Sequence, residues 1–186
     1  AISRARALRK AKICISHLNL FSQHRSNHRI IESHYIIRMT SSWSTLLTRK
    51  FPCRLPIMGA PMADVSGGLL AAETCRAGAL GFLAAGHTLS LEQIDKQVAL
   101  FRKHAPRDSP LSIGFIGHST FASPASWDRF EAVLSRHNPS VVQFFAPVLA
   151  ARHDGKNNVQ VAHEHDCLVL AQVGSIKEGK QALQAG

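Results

Sequence analysis

The feature that most constrains the fold of this 186-residue chain is a regular alternation of short apolar runs with helical patterns. The runs start 25, 31, 30 and 26 residues apart. They are Leu55–Ala60, Leu80–Ala84, Leu111–Gly117, Val141–Ala146 and Cys167–Val173. Polar and apolar residues scarcely alternate within the runs, which is typical of strands buried on both faces of a parallel sheet. The pattern therefore predicts an α/β fold built from successive βα units.

Four serines mark the starts of the predicted helices: Ser66, Ser90, Ser123 and Ser175. Ser90 and Ser175 are each followed three residues later by Gln or Glu, the capping-box pattern that satisfies free N–H groups at a helix start. Ser123 precedes Pro124, a residue favoured at the first helical position. Ser66 is predicted to cap a helix over Gly67–Ala77, and Gly78 is well placed to end that helix.

A spacing near 30 residues is what eight βα units in about 250 residues would give. We therefore expect a TIM (β/α)8 barrel, of which residues 39–186 would supply about the first five units. The competing architecture is an open, doubly wound, five-stranded domain, which usually carries a glycine fingerprint after its first strand. Here that strand is followed by Pro61-Met62-Ala63-Asp64-Val65-Ser66 instead, which favours the truncated barrel.

The net charge of +10 is concentrated at one end of the chain. Residues 1–38 hold 8 of the 22 basic residues and 1 of the 12 acidic ones. This basic, Ser- and His-containing leader is interpreted as a spurious or unstructured extension before a start at Met39, as a mitochondrial transit peptide, or as a nucleic-acid-binding arm. Because the rest is close to balanced, we expect no nucleic-acid partner. The predicted location is cytoplasmic, or mitochondrial if the leader is a transit peptide.

Other protein classes are excluded by simple counts. No apolar run approaches the roughly 18 residues that a membrane span needs, and the stretch Val141–Ala151 contains Gln143 and Pro147. The four cysteines are widely spaced: Cys14, Cys53, Cys75 and Cys167. This spacing indicates reduced thiols, with no disulfide framework or zinc site.

In a barrel, ligand-binding groups lie at the carboxyl ends of the strands. Gly59–Ala63 follows the first predicted strand with small residues, which let a flat ligand approach the backbone, and with Met62, whose thioether suits a ring face. A simple strand-to-loop turn is the alternative. His87 and His118 also fall at this rim, either near a substrate or as surface residues. His163-Glu164-His165-Asp166 is interpreted as a solvated helix end, because residues two apart point in different directions.

Five motifs in register resemble the nitronate monooxygenase (2-nitropropane dioxygenase) family, its fungal members in particular. They are Leu47–Phe51 with Leu55–Ala63, then Ala77–Leu83, Ile113–Phe115, Phe144–Pro147 and Gln172–Ser175. The second is similar to the family's Ala-Gly-Gly-Leu-Gly signature. The resemblance covers roughly Leu47 to Gly186.

The resemblance implies a flavin barrel that binds FMN and oxidises alkyl nitronates with O2, giving a carbonyl compound and nitrite. By similarity, Ala60, Pro61 and Met62 would line the flavin ring, and Gln172 would turn its amide toward the ring's heteroatom edge. Many members place an Asn at Ile116 or Gly117, neither of which has a polar side chain. The family's catalytic His, in Ala-Gly-Gly-His, and its phosphate-binding glycines are expected after Gly186. No catalytic residue is therefore assigned in this chain.

Two other interpretations stay open. Another FMN or NAD barrel oxidoreductase, either an enoyl-thioester reductase or an IMP-dehydrogenase-like enzyme, shares much of the opening strand pattern. A non-enzymatic truncated product is the alternative from a different class.

Overall fold

The computed structural model describes residues 43–86, 89–120, 123–149 and 154–185. The leader, residues 1–38, and His87 lie outside these ranges. The helices are α1 (Leu46–Lys50), α2 (Gly68–Arg76), α3 (Leu91–His104), α4 (Gly117–Thr120), α5 (Pro124–His137), α6 (Asn158–Glu164) and α7 (Ile176–Gln184). The strands are β1 (Leu83–Ala84), β2 (Ser112–Ile116), β3 (Val141–Phe145) and β4 (Leu168–Gln172).

The four strands form one parallel sheet in the order β1-β2-β3-β4. Each strand is followed along the chain by at least one helix, and neighbouring strands are consecutive in sequence. Helical connections are what parallel pairing requires, because the chain must return to the same end of the sheet. The predicted parallel α/β arrangement is confirmed, whereas the eight-unit barrel stays a prediction.

The prediction of a regular first strand over Leu55–Ala60 was wrong. That segment makes a single parallel bridge, Met58 with Leu80. The bridge consists of two hydrogen bonds, from Gly59 N–H to the Leu80 carbonyl (2.9 Å) and from Leu80 N–H to the Ile57 carbonyl (3.0 Å), and Leu55 N–H also donates to the Gly78 carbonyl at 2.9 Å. In the alternation that these bonds set, residue 61 would donate the next hydrogen bond, and Pro61 has no N–H, so the pairing does not continue past Ala60.

The larger hydrophobic core lies between the sheet and the helices. Ile113, Phe115, Val142 and Phe144, which alternate along β2 and β3, are buried there. Phe130 of α5 meets Phe115 edge-on, with ring centroids 5.0 Å apart, and its ring is 5.7 Å from that of Phe144. Offset and edge-on contacts of this kind are the favoured aromatic arrangements. The aromatic contacts therefore fix α5 against β2 and β3.

The opposite face of the sheet carries a second, smaller apolar cluster. Leu80, Phe82 and Val141 are buried in it, and Leu170 packs against them. Both faces of the central strands are therefore buried, as the near-continuous apolar runs predicted. β4 is more exposed than β2 and β3, and α7 has no buried residue.

Three predicted helix starts are confirmed. Ser90 and Gln93 form a reciprocal capping box at α3. Ser123 caps α5 with Pro124 in its first turn. Ser175 accepts from Glu178 N–H at α7, although the Glu178 carboxylate accepts from Gly174 N–H, one residue before the cap. Gly78, with φ +94°, ends α2 as predicted.

The predicted cap of α2 was wrong. α2 begins after Gly67, which makes no side-chain cap bond. Gln97 of α3 instead accepts a hydrogen bond from Gly68 N–H at 2.8 Å. Ser66 is turned toward the preceding loop.

None of the helices in the described ranges is long and apolar enough to cross a membrane.

Candidate functional site

A cavity of about 230 Å³ opens at the carboxyl ends of the strands. It unites all four residues that the resemblance assigned to a cofactor. Its lining consists of Ala60, Pro61, Met62, Ala63, Ala84, Gly86, Gly114, Phe115, Ile116, Gln143, Phe145 and Gln172. These residues come from the 60–63 loop and from the ends of the strand segments that follow it. The placement is the one that open and closed parallel α/β folds use for ligands.

Ser66 holds the 60–63 loop in place. Its hydroxyl donates to the Ala60 carbonyl at 2.7 Å and accepts from Met62 N–H at 3.1 Å. Ser66 is 3% exposed, so water does not compete for these bonds. The Met62 carbonyl also accepts from Ser66 N–H at 2.9 Å, which closes the turn. Pro61 is thus anchored on both sides by one side chain, a role that differs from the helix cap predicted for Ser66.

Pro61 packs directly on β2 at Gly114. A Cβ atom at Gly114 would lie 2.3 Å from both Cβ and Cγ of Pro61, far inside van der Waals contact. The absence of a side chain at Gly114 therefore allows the proline ring to lie against the strand. The sequence signal for this contact is the single glycine within the apolar run Leu111–Gly117, because a glycine in a strand often marks close approach of another chain segment.

Two carboxamides supply the polar groups of the lining. Gln172, the last residue of β4, is exposed at the mouth of the cavity. Gln143 of β3 is 6% exposed and lies one level deeper, paired in register with Gly114 on one side and Leu170 on the other. Phe145, two residues after Gln143, is the register partner of Gln172. Both amides therefore face one space from neighbouring strands.

Gln143 is the functional candidate that the sequence reasoning missed. In the sequence it is the polar residue within the apolar stretch Val141–Ala151. Within the described part of the chain, its Oε1 atom is buried and has no hydrogen-bond partner. A buried acceptor without a partner is unfavourable and uncommon in folded proteins. The signal in the sequence was a lone amide at an inward strand position.

The rest of the lining is small or apolar, and none of the twelve lining residues named above is ionisable. Met62 and Phe145 are about half exposed at the mouth, at 46% and 47%. Ile116, one of the two positions at which the resemblance implies an Asn in many members, lines the cavity. Gly117 packs against the next loop, since a Cβ there would lie 2.1 Å from the Ala146 carbonyl oxygen. The cavity thus suits a flat ligand with an apolar face and a polar edge.

His118 belongs to a different space. It is exposed and lines a larger cavity of about 800 Å³, together with the loop after β3 and one side of α7. The other residues of this cavity are Ala146, Pro147, Val148, Leu149, Asn157, Glu178, Gln181, Gln184 and Ala185. The structure therefore separates His118 from the residues around Pro61.

The described cysteines have the character of structural thiols. Burial and the neighbouring Asp166 charge raise the pKa of Cys167 to about 11, and its Sγ donates to the Pro139 carbonyl at 3.2 Å. Burial also raises the pKa of Cys75 and of Cys53. A thiol with a raised pKa is a poor nucleophile at neutral pH.

The His163–Asp166 segment forms the end of α6. The helix ends at Glu164, and the Nδ1 atom of His163 donates to the Cys167 carbonyl at 3.1 Å. Among the residues described by the structure, no group of three or more His, Cys, Asp or Glu side chains could hold a metal ion.

No family model matches the chain. A nitronate monooxygenase from Neurospora crassa is 28% identical over 150 residues, which cover 70% of this chain and 40% of the relative. The chain thus spans less than half the length of this curated relative.

Two solved structures share the fold. FabK from Thermotoga maritima has a TM-score of 0.64 at 22% identity, covering 78% of this chain and 42% of that one. Nitroalkane oxidase from Streptomyces ansochromogenes has a TM-score of 0.55 at 25% identity, covering 73% of this chain and 45% of that one. The resemblance of this chain to the nitronate monooxygenase family, inferred from its motifs, is therefore confirmed.

Proposed function

We propose that the natural full-length protein containing this chain is an FMN-dependent oxidoreductase that converts alkyl nitronates and O2 into a carbonyl compound and nitrite. The observation that carries this proposal is the cavity that unites Ala60, Pro61 and Met62 with Gln172. The names of two relatives, a nitronate monooxygenase and a nitroalkane oxidase, support the proposed substrate class.

The lining fits a flavin ring. Ala84, Gly86 and Gly114 leave the strand backbones accessible, and Pro61 and Met62 offer an apolar face. The buried Oε1 atom of Gln143 lacks a described partner, which supports a role for this residue as an acceptor for a hydrogen-bond donor of the ligand. We assign the ring contacts to Ala60, Pro61, Met62 and Gln172. Bound flavin would supply the electron acceptor for nitronate oxidation.

The side chains that line the cavity would orient the flavin ring and shield it from water. Met62 and Phe145, half exposed at the mouth, would cover the ring and keep water from it. Gln172 would orient the polar edge of the ring through its amide. Because none of the lining residues is ionisable, proton transfer is not assigned to them. The family resemblance places that role on the His of an Ala-Gly-Gly-His motif after Gly186, and this placement stays a prediction.

The domain organisation belongs to the same proposal. Residues 39–186 would supply about five βα units of the barrel, and residues 1–38 would be a leader outside it. The partners would be a small nitronate and O2, in the cytoplasm, or in mitochondria if the leader is a transit peptide. Mass spectrometry of the native N-terminus tests this part, since a start at Met39 would exclude targeting by residues 1–38.

The activity is tested on the purified natural full-length protein. We expect a yellow protein whose flavin, released by denaturation, is FMN by chromatography and mass spectrometry. With propyl nitronate and O2 it should release nitrite in proportion to the oxygen consumed. A flavin-loaded preparation that releases no nitrite would overturn the proposed activity. Reduction of an enoyl thioester by the same preparation would favour the reductase alternative instead.

A further inference from the structure

We infer that Gln143 is a further ligand-binding residue of this site, whose side-chain oxygen accepts a hydrogen bond from the N3–H group of the flavin ring. The inference rests on the proposed function for the identity of the ring. It assigns a specific polar contact on β3, a strand to which the resemblance assigned none.

Burial and geometry carry the first step. Gln143 is 6% exposed, it lines the cavity, and its Oε1 atom lacks a described partner. If the amide served the fold alone, its oxygen would be expected to accept a hydrogen bond from a backbone or side-chain donor. A buried acceptor without a hydrogen bond is unfavourable. The neighbours in register are Gly114, which has no side chain, and Leu170, which is apolar. Neither neighbouring side chain can donate to Gln143. The Oε1 atom itself has no exposed surface, so a rotation about the terminal side-chain torsion, which is soft in amides, would turn it toward a molecule in the cavity.

Chemical complementarity carries the second step. The polar atoms of an oxidised flavin ring are mostly acceptors, and its one N–H donor is N3–H. The group without a partner at Gln143 is an acceptor, so it complements that donor. Gln172, on the next strand and nearer the mouth, presents a second amide to the same cavity. Hydrogen bonds to two amides at different depths would fix the rotation of the ring within its own plane and would hold its polar edge in place.

A structural role and a binding role predict opposite effects on stability. If Gln143 served the fold, replacing it would lower the midpoint of thermal unfolding of the flavin-free protein. If it serves the ligand, Gln143→Leu removes a buried acceptor that has no partner, so the flavin-free protein should be equally or more stable. Gln143→Met, of similar length and without the amide, provides a second variant in case Leu packs poorly.

The binding test uses the natural full-length protein, stripped of flavin and titrated with FMN and with N3-methyl-FMN, which lacks the N3–H donor. For the wild type we expect N3-methyl-FMN to bind about 3- to 10-fold more weakly than FMN, the range for one hydrogen bond. Gln143→Leu should lose a similar factor for FMN and should no longer distinguish the two flavins. The exposed Gln181→Leu variant, which lies outside this cavity, serves as the matched control and should bind as the wild type does.

The outcomes separate the two claims. Tight FMN binding by the wild type with unchanged discrimination in Gln143→Leu would overturn the assignment of Gln143 and leave the proposed function intact. A lower unfolding midpoint for both flavin-free Gln143 variants, with wild-type discrimination retained, would show a structural role. Failure of the wild type to bind FMN at all would overturn the proposed function and this inference together.

Discussion

Pro61 lies against the backbone of Gly114, and this contact joins the loop of the candidate site to the sheet. A Cβ at position 114 would lie 2.3 Å from two carbon atoms of the proline ring. The 60–63 loop forms one wall of the cavity, and its position thus depends on the absence of a side chain at Gly114 in β2.

The first prediction concerns that contact. Gly114→Ala should push Pro61 away from the strand, lower the free energy of unfolding by about 1–3 kcal/mol, as overpacking does, and weaken FMN binding. Gly179→Ala is the matched control. A Cβ there meets nothing closer than Val173 at 3.7 Å, and Ala is the better helix former, so α7 should be unchanged or more stable. Urea unfolding and FMN titration measure both effects. Equal behaviour of the two variants would contradict the packing account.

The second prediction concerns the loop anchor. Ser66→Ala removes the hydroxyl that bridges Ala60 and Met62, leaving a carbonyl and an N–H without their partner. We expect a loss of about 1–3 kcal/mol in the free energy of unfolding together with weaker FMN binding.

Its control is Ser90→Ala, which removes the cap of α3 and costs about 1 kcal/mol. Ser90 is not among the residues that line the cavity, so this variant should be less stable while binding FMN as the wild type does. If Ser66→Ala also left FMN affinity unchanged, the hydroxyl would not be positioning the loop.

The third prediction concerns pH. The folded-state pKa of Cys167 is about 11, raised from 9.0 by burial and by Asp166. A raised pKa means that folding favours the neutral thiol, so its contribution to stability is complete below about pH 9 and is lost as the pH rises toward 11. Stability should therefore decline across this window, and the decline should be smaller in Cys167→Ala. The decline is measured by urea unfolding at each pH. An identical pH profile for wild type and variant would refute the assignment.

Alkylation gives an independent measurement of the same thiol. At pH 8 Cys167 should react much more slowly than the half-buried Cys53, because both burial and a low thiolate fraction protect it. Peptide mass spectrometry after iodoacetamide treatment of the folded protein compares the two sites. Comparable rates at both would be inconsistent with a buried Cys167.

The fourth prediction concerns the exposed side of β4 and α7. Ile176 and Leu183 are 82% and 83% exposed, and Val173 lies close to both around one shallow depression. Exposed apolar side chains next to a strand edge favour association. Residues 39–186 expressed alone should therefore aggregate and bind FMN poorly. Replacing both Ile176 and Leu183 by Lys should reduce the aggregation, whereas Leu69→Lys on α2 should not. A monodisperse, flavin-binding 39–186 fragment would contradict this prediction.

Helix starts were predicted correctly where they depend on interactions between residues that are close together in the sequence. The box formed by Ser90 and Gln93 and the first-turn position of Pro124 involve residues within one helical turn, so the sequence alone is sufficient to identify them. Four of the five apolar runs also located strands to within three residues, because burial on both faces leaves a continuous signal.

Non-local contacts explain what was missed. The run at Leu55–Ala60 is apolar enough for a strand, but it makes one bridge, and Pro61 lacks the N–H that would continue the pairing. A serine at position 66 can hydrogen-bond either to the helix after it or to the loop before it, and in the structure its hydroxyl bonds to the loop. The meeting of Gln143 with Pro61 and Gln172 depends on strand register across more than 80 residues, which periodicity does not reveal.

The measurement that tests the central claim most directly is a crystal structure of the FMN-loaded natural full-length protein. The account predicts the flavin ring in the cavity at the strand ends, in contact with Pro61 and Met62 and with its polar edge toward Gln143 and Gln172. A flavin ring bound in the larger cavity beside His118, or anywhere that leaves Pro61 and Gln172 untouched, would contradict it.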